Sequence, residues 1–126
     1  MHHFKIRIAV ITVFLTATIG LSTTYAQGKL LRHVVIITFK TNTPDSVINA
    51  VDASFGRLAK LPMVKQFEWG NITDPKDSQH IKHIYVSTFT NQADEAAYGS
   101  SKEHQAHIKL GTEFVESVQA VDYFVN

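Results

Sequence analysis

Five side chains of this 126-residue chain could form a chemically active site. Three of them, His33, His83 and Asp122, are ionisable residues inside segments that are otherwise apolar. Because a buried polar group costs free energy unless it is hydrogen-bonded, these placements predict a polar pocket within an apolar core. Asp122 could hold one tautomer of a histidine, as carboxylates do in catalytic sites. The alternative is a hydrogen-bonded core network without a ligand.

Tyr98 and His104 form the second group of candidates, and they lie six residues apart. Histidine titrates near neutral pH and can act as a base, while a neighbouring phenol can hold or deliver a proton. Such a pair could abstract a proton beside a carbonyl group or assist an aldol-type ring closure. The alternative interpretation is a structural hydrogen bond that holds a short helix against a longer one.

Metal binding is the third possibility. His104 and His107 are three residues apart on a predicted helix, and histidine with aspartate suits several divalent metals. However, the chain has no HExxH-type motif, and His80 and His83 would point to opposite faces of a strand. We therefore predict no metal and no cofactor. Among the aromatic residues, Trp69 is the candidate for a cavity wall, and the others are interpreted as core packing.

The hydrophobic pattern predicts four strands and a set of helices, in the order strand, helix, strand, strand, helix pair, strand. Thr43 is expected to cap the first helix, with Pro44 at its first helical position. This order is the split βαβ arrangement of ferredoxin-like α+β domains, a four-stranded antiparallel sheet with helices on one face. The predicted strands are 30–39, 63–72, 81–90 and 118–125. The first predicted helix starts at Pro44, a short second one is capped by Asn91 and runs to about Tyr98, and the last runs from Glu103 to about Ser117.

Strand alternation places His33, His83 and Asp122 on one face of the sheet, beneath the helices. The opposite face also carries apolar residues, although two or three helices can cover only one face. A soluble monomer rarely exposes a large apolar patch. The pattern therefore predicts a homodimer in which two sheets pack together as a dimeric α/β barrel. The apolar residues of the open face are Val34, Ile36, Ile84, Val86, Val121, Tyr123 and Val125.

The first 26 residues have the pattern of a secretory signal peptide. Lys5 and Arg7 give a basic start, an uncharged apolar run covers 8–21, and small residues precede a cleavage point after Ala26. The apolar run is short for a membrane span, which needs about 20 residues. We expect a secreted or periplasmic mature domain, 27–126, without a stable membrane anchor; an uncleaved anchor is the alternative.

Composition narrows the class of partner. Removing Lys5 and Arg7 leaves 12 − 2 = 10 basic residues against 11 acidic ones, a formal charge of −1. No basic block remains, which argues against nucleic acid as a partner. The chain has no cysteine, so export would bring no disulfides, and oligomerisation is the remaining way for a small domain to bury more surface.

From Leu31 to the C-terminus, the chain resembles the stress-responsive α/β-barrel (Dabb) family. The resemblance implies a dimeric ferredoxin-like barrel over nearly the whole mature chain. The matching pieces are Arg32-His33-Val34-Val35, Phe67-Glu68-Trp69-Gly70, His83 followed by Ser87-Thr88-Phe89, Tyr98 six residues before His104, and Val121-Asp122-Tyr123.

The resemblance leaves the activity open, because most family members have no established one. A plant polyketide cyclase similar to this domain uses a Tyr–His pair in a pocket lined by strand histidines and a C-terminal aspartate. That resemblance implies His104 as base and Tyr98 as its partner. The chain departs from the family at Ser101-Lys102-Glu103, where His-Pro-Ala is common, so the intervening turn is expected to be less fixed.

Two functions therefore follow from the sequence. The first is an exported, stress-associated homodimer that binds a small apolar or aromatic compound, with ligand-binding residues His33, His83, Asp122 and Trp69. The second is a cofactor-free enzyme for carbonyl or polyketide-like substrates, in which Tyr98 and His104 are catalytic.

Overall fold

The computed structural model describes residues 28–126, so the predicted signal segment lies outside the described residues. Four antiparallel strands form one sheet in the order β2-β3-β1-β4. The fold is the ferredoxin-like α+β fold that the sequence predicts. The strands are β1 (Leu31–Phe39), β2 (Gln66–Asn71), β3 (Lys82–Phe89) and β4 (Val115–Phe124).

Three α-helices pack on one face of this sheet: α1 (Asp45–Leu58), α2 (Gln92–Ser100) and α3 (Lys102–His107). The α2 start is confirmed, because the Asn91 side chain accepts a hydrogen bond from the Asp94 amide. The predicted α1 cap is wrong. Pro44 occupies the N-cap position without a side-chain hydrogen bond, and the Thr43 hydroxyl instead donates to the Lys40 carbonyl at 2.6 Å.

The helix predicted from Glu103 to Ser117 is much shorter in the structure. It ends at His107, a 3-10 turn follows at Thr112–Phe114, and β4 begins at Val115. After His107 the chain continues in tighter turns, in which the Lys109 and Leu110 amides donate to the Ala106 and His107 carbonyls, and Gly111 ends these turns because its φ of 68° lies in the left-handed region. A Cβ at this position would also lie 3.1 Å from Val51 Cγ2, so the turn packs tightly on α1.

The strand register confirms the predicted faces. His33 lies opposite Ser87 on β3 and Asp122 on β4, while His83 lies opposite Ile37. Side chains at these positions point toward the helices. The open face carries strongly exposed apolar residues, including Val121 at 60% and Tyr123 at 47%.

Two hydrophobic clusters lie between the sheet and the helices. The larger one includes Val51 and Phe55 of α1 and Tyr85 of β3, and the smaller one includes Phe89 and Tyr98. The rings of Phe55 and Tyr85 stack with centroids 3.7 Å apart, which fills the centre of the helix–sheet interface. Within residues 28–126, no helix is long and apolar enough to cross a membrane.

Candidate functional site

The first candidate site is a cavity of about 230 Å³ between β1, β4 and the helices, here called the His33 cavity. Most of its wall is apolar, and its polar groups are one tyrosine and three histidines. Such an arrangement suits a small ligand that is apolar over most of its surface. The wall consists of His33, Val35, Ile37, Phe55, Tyr98, His104, His107, Ile108, Val118 and Ala120.

His33 and Asp122 form a hydrogen-bonded pair at this cavity. The two residues are register partners on neighbouring strands, and His33 Nδ1 lies 2.6 Å from Asp122 Oδ1. In the tautomer with a proton on Nδ1, the N–H group donates a hydrogen bond to the carboxylate, and Nε2 is left as a hydrogen-bond acceptor. The prediction that Asp122 could orient a histidine therefore has a geometric basis at His33.

Glu95 of α2 adds a second carboxylate that sequence reasoning missed. Its Oε1 lies 3.6 Å from His33 Nδ1. Burial, a hydrogen bond with Asp122 and the charge of Asp122 raise the pKa of Glu95, while His33 lowers it. Glu95 therefore binds a proton more readily than an isolated glutamate does. Ligand atoms of His33, Glu95 and Asp122 lie within 4.8 Å of one another, so this is also where a cation could bind.

Tyr98 and His104 meet across the junction of α2 and α3, with ring centroids 5.0 Å apart. Ser101 fixes the turn between them. Its hydroxyl donates to the Tyr98 carbonyl at 2.7 Å and accepts from the His104 amide at 3.1 Å. Ser101 thus caps α3, and the turn is ordered without the proline that the family commonly has there.

The environments of Tyr98 and His104 push their pKa values apart. Burial raises the pKa of Tyr98 to about 12, although Ser87 acts in the opposite direction. Burial and the charge of His33 lower the pKa of His104, and the Gly99 carbonyl partly offsets them. His104 Nδ1 is buried without a hydrogen-bond partner among the described residues. At neutral pH, Tyr98 is therefore a proton donor, and His104 is an uncharged base.

His107 is a further cavity residue, which the sequence suggested only as a metal ligand. Its Nδ1 lies 2.7 Å from the Ser54 hydroxyl of α1, and its ring packs against Phe55. Burial first, then the charges of His104 and Arg57, lower its pKa to about 4. His107 is therefore neutral at physiological pH.

His83 and Trp69 belong to a different cavity, here called the Trp69 cleft, of about 450 Å³. Asp52 of α1 holds this group together. Its Oδ1 accepts hydrogen bonds from the Tyr85 hydroxyl at 2.6 Å and from His83 Nδ1 at 2.8 Å. The cleft is lined by Asp45, Ile48, Asn49, Asp52, Trp69, Asn71, Ile72, His80, Ile81, Lys82 and His83.

The prediction that His33, His83 and Asp122 surround one cavity is wrong, because His83 lines a different cavity from His33. His83 lies four positions along β3 from Ser87, the register partner of His33, which is about 13 Å of strand. The stacked rings of Phe55 and Tyr85 fill the space between. The sequence offered one signal for the second cavity, because Asp52 interrupts the apolar stripe of α1 between Ile48 and Phe55.

Comparison with protein families identifies the domain. A family model described as the stress responsive A/B barrel domain, Dabb, matches residues 31–125. The chain belongs to the Dabb family. No curated protein matches the chain in sequence.

Several solved structures share this fold. A hydroxynitrile lyase from Passiflora edulis is 24% identical with a TM-score of 0.69, and the match covers 79% of this chain and 95% of that one. A dimeric ferredoxin-like protein of unknown function from Thermobifida fusca is 17% identical, with a TM-score of 0.67 and coverages of 81% and 96%. A dimeric protein of unknown function from Bacteroides fragilis is 27% identical, with a TM-score of 0.59 and coverages of 76% and 96%.

Proposed function

We propose that this Dabb protein is an exported homodimer that binds a small, largely apolar compound with one polar group in the His33 cavity. The observation that carries the proposal is a cavity whose wall is mostly apolar and whose polar side chains include Tyr98 and His104. A ligand of this kind would bury its apolar surface against the wall, and its polar group could accept a hydrogen bond from the Tyr98 hydroxyl.

The volume of the cavity limits the size of the ligand. About 230 Å³ lies below the usual range of roughly 300 to 1,000 Å³ for drug-sized ligands. A single aromatic ring with a short substituent is the matching class. Its ring would lie against Val35, Ile37 and Phe55, and its polar group would lie near Tyr98 and His104.

The homodimer is proposed from the open sheet face. Val121 and Tyr123 are about half exposed or more on the face that no helix covers. Dimeric ferredoxin-like proteins of the same fold support sheet-to-sheet pairing. Val121→Asp should reduce the mass in light scattering to that of a monomer, because a charge would be buried at the seam. Leu110→Asp, on the helix side, should leave the dimer intact, and a monomeric wild type would contradict the proposal.

Export is proposed from the N-terminal pattern alone. Expression in a bacterium with a periplasm, followed by mass spectrometry of the recovered protein, tests it. The expected mass is that of 27–126. Full-length protein in the cytosolic fraction would contradict export.

Ligand binding can be tested with acetophenone, a neutral aromatic ketone of the proposed size. A titration followed by amide NMR should give saturable shifts for residues around Tyr98 and His104. Ala120→Phe should abolish these shifts, because it fills the cavity from β4. Ala96→Phe, which adds the same ring to an exposed position of α2, should not. Shifts that never saturate, or that persist in Ala120→Phe, would contradict the proposal.

A second candidate function is acid–base catalysis on a carbonyl compound, which the separated pKa values of Tyr98 and His104 favour. His104 would accept the proton from the carbon beside the carbonyl. The C–H electron pair would form the enolate, whose oxygen would accept a hydrogen bond from the Tyr98 hydroxyl. A fold shared with a hydroxynitrile lyase is compatible with chemistry at this cavity.

Deuterium exchange tests the catalytic candidate. The wild type in heavy water should exchange the methyl protons of acetophenone faster than buffer does, and His104→Gln should lose this rate while remaining dimeric. Tyr98→Phe should lower the rate by roughly 10² or more, because the enolate loses its donor. Equal exchange in wild type and His104→Gln would exclude catalysis but leave binding in place.

A further inference from the structure

We propose that the Trp69 cleft is a second, independent ligand site, which binds a neutral planar aromatic compound carrying a hydroxyl group. The residues that line this cleft do not line the His33 cavity, so the proposal does not depend on the proposed function. Four observations carry it: a fixed histidine acceptor, an exposed aromatic face, the balance of charge and the available volume.

His83 supplies the acceptor. Its side chain is 7% exposed, and its Nδ1 bonds to Asp52. The Asp52 carboxylate can only accept hydrogen bonds, so it keeps the proton on Nδ1 and leaves Nε2 as an acceptor. Nε2 makes no hydrogen bond with any residue in 28–126, although His83 lines the cleft. A ligand hydroxyl could donate the hydrogen bond that Nε2 does not receive from these residues.

Trp69 supplies the aromatic face. Its side chain lies on edge strand β2 and is 48% exposed, although a tryptophan costs much to leave in water. The indole continues a set of near-parallel rings, with interplanar angles of 14° for Phe55–Tyr85 and 18° for Tyr85–Trp69. Its centroid lies 5.4 Å from that of His83. A flat ring could therefore stack on Trp69 while its hydroxyl reaches His83.

The charges around the cleft favour a neutral ligand over an anion. Lys82 is paired with Asp74 at 2.8 Å and with Asp77 at 3.0 Å, and His80 bonds to Asp77 at 2.9 Å. The carboxylates of Asp45 and Asp52 also line the cleft. Among the described residues that line the cleft, Lys82 and His80 are therefore already paired with carboxylates. An aromatic acid would be repelled by the carboxylates of the cleft, whereas a neutral phenol would not.

The cleft is larger than the His33 cavity and can therefore hold a larger ligand. About 450 Å³ is nearly twice the volume of that cavity and lies within the usual range for small-molecule sites. Asn49 and Asn71 add hydrogen-bonding groups to its wall. The cleft therefore has room for one or two fused rings and a second hydroxyl.

Trp69 is the only tryptophan of the chain, so its fluorescence reports on the cleft directly. Titrating the full-length protein with resorcinol, a neutral dihydroxybenzene, should change the emission saturably. His83→Gln should weaken the affinity by roughly tenfold, because the flexible glutamine amide does not present the fixed acceptor that Asp52 orients in His83. The matched variant His33→Gln, which makes the same change in the other cavity, should leave the affinity for resorcinol unaltered. Benzoate should give no saturable change.

A ligand comparison on the wild type keeps the test valid if His83→Gln does not fold. The dimethyl ether of resorcinol has the same ring but no hydroxyl to donate, so it should bind roughly tenfold more weakly. Quenching that does not saturate, equal affinity for resorcinol and its ether, or equal losses in His83→Gln and His33→Gln would each overturn the proposal.

Discussion

Two histidine–aspartate pairs, one at each cavity, have nearly the same length but very different surroundings. His33 and Asp122 are 18% and 47% exposed, whereas His83 and Asp52 are 7% and 12% exposed. The first pair joins two strands and has Glu95 as an additional carboxyl group, while the second joins a strand to α1 and has Tyr85 as an additional donor. The same hydrogen bond is thus near solvent in one place and part of the core in the other.

This difference has consequences for what each pair can do. Near water, a charge pair is screened and contributes little to stability, so losing one partner of the His33 pair should cost little. In the interior, removing one partner leaves the other unsatisfied, so the His83 pair is structurally constrained and keeps one tautomer. The second pair is therefore the one suited to holding a fixed acceptor toward a ligand.

The largest expected effect comes from removing the ring that separates the two sites. Phe55→Ala should lower the free energy of unfolding by about 3 to 5 kcal/mol, because Phe55 is 5% exposed and stacks on Tyr85. Urea unfolding measures this loss. Resorcinol and acetophenone should also begin to compete for binding in this variant, since the two cavities become one.

Phe124→Ala is the control for this change. It deletes the same side chain at a position that is 45% exposed, so it should cost less than about 1 kcal/mol. Similar losses in both variants, or ligands that remain independent in Phe55→Ala, would contradict the role of Phe55 as the wall between the sites.

The second prediction compares the two carboxylates directly. Asp52→Asn should lower the free energy of unfolding by about 2 to 3 kcal/mol, because two buried donors depend on the carboxylate. Asp122→Asn should cost less than about 1 kcal/mol, because that carboxylate is half exposed. Chemical denaturation of both variants measures the difference. If Asp122→Asn costs as much as Asp52→Asn, burial does not distinguish the two pairs.

The same difference explains how much of the molecule could be predicted from its sequence. Strand alternation correctly places His33, His83 and Asp122 on one face, because the period of two is fixed by backbone geometry. It could not show that Phe55 and Tyr85 divide that face, since ring stacking depends on how α1 lies across the sheet. Asp52 and Glu95 were missed for the same reason: each approaches a histidine from a helix distant in sequence.

The smallest effect should be a dependence of stability on pH from the His33 cavity. The pKa of His107 is lowered to about 4 in the fold, from about 6.5 in the unfolded chain. Between these values, the unfolded chain binds a proton that the folded chain does not, so His107 makes stability fall as the pH falls from about 6.5 to about 4. The lowered pKa of His104 acts in the same direction, whereas the raised pKa of Glu95 acts oppositely.

His107→Gln isolates this contribution, because glutamine keeps a polar partner for Ser54 but does not titrate. The loss of stability from about pH 7 to about pH 5, measured by urea unfolding, should be smaller in His107→Gln than in the wild type. An unchanged pH dependence in His107→Gln would show that its imidazole already binds a proton in the folded domain, and the His33 cavity would then be wetter than its apolar wall indicates.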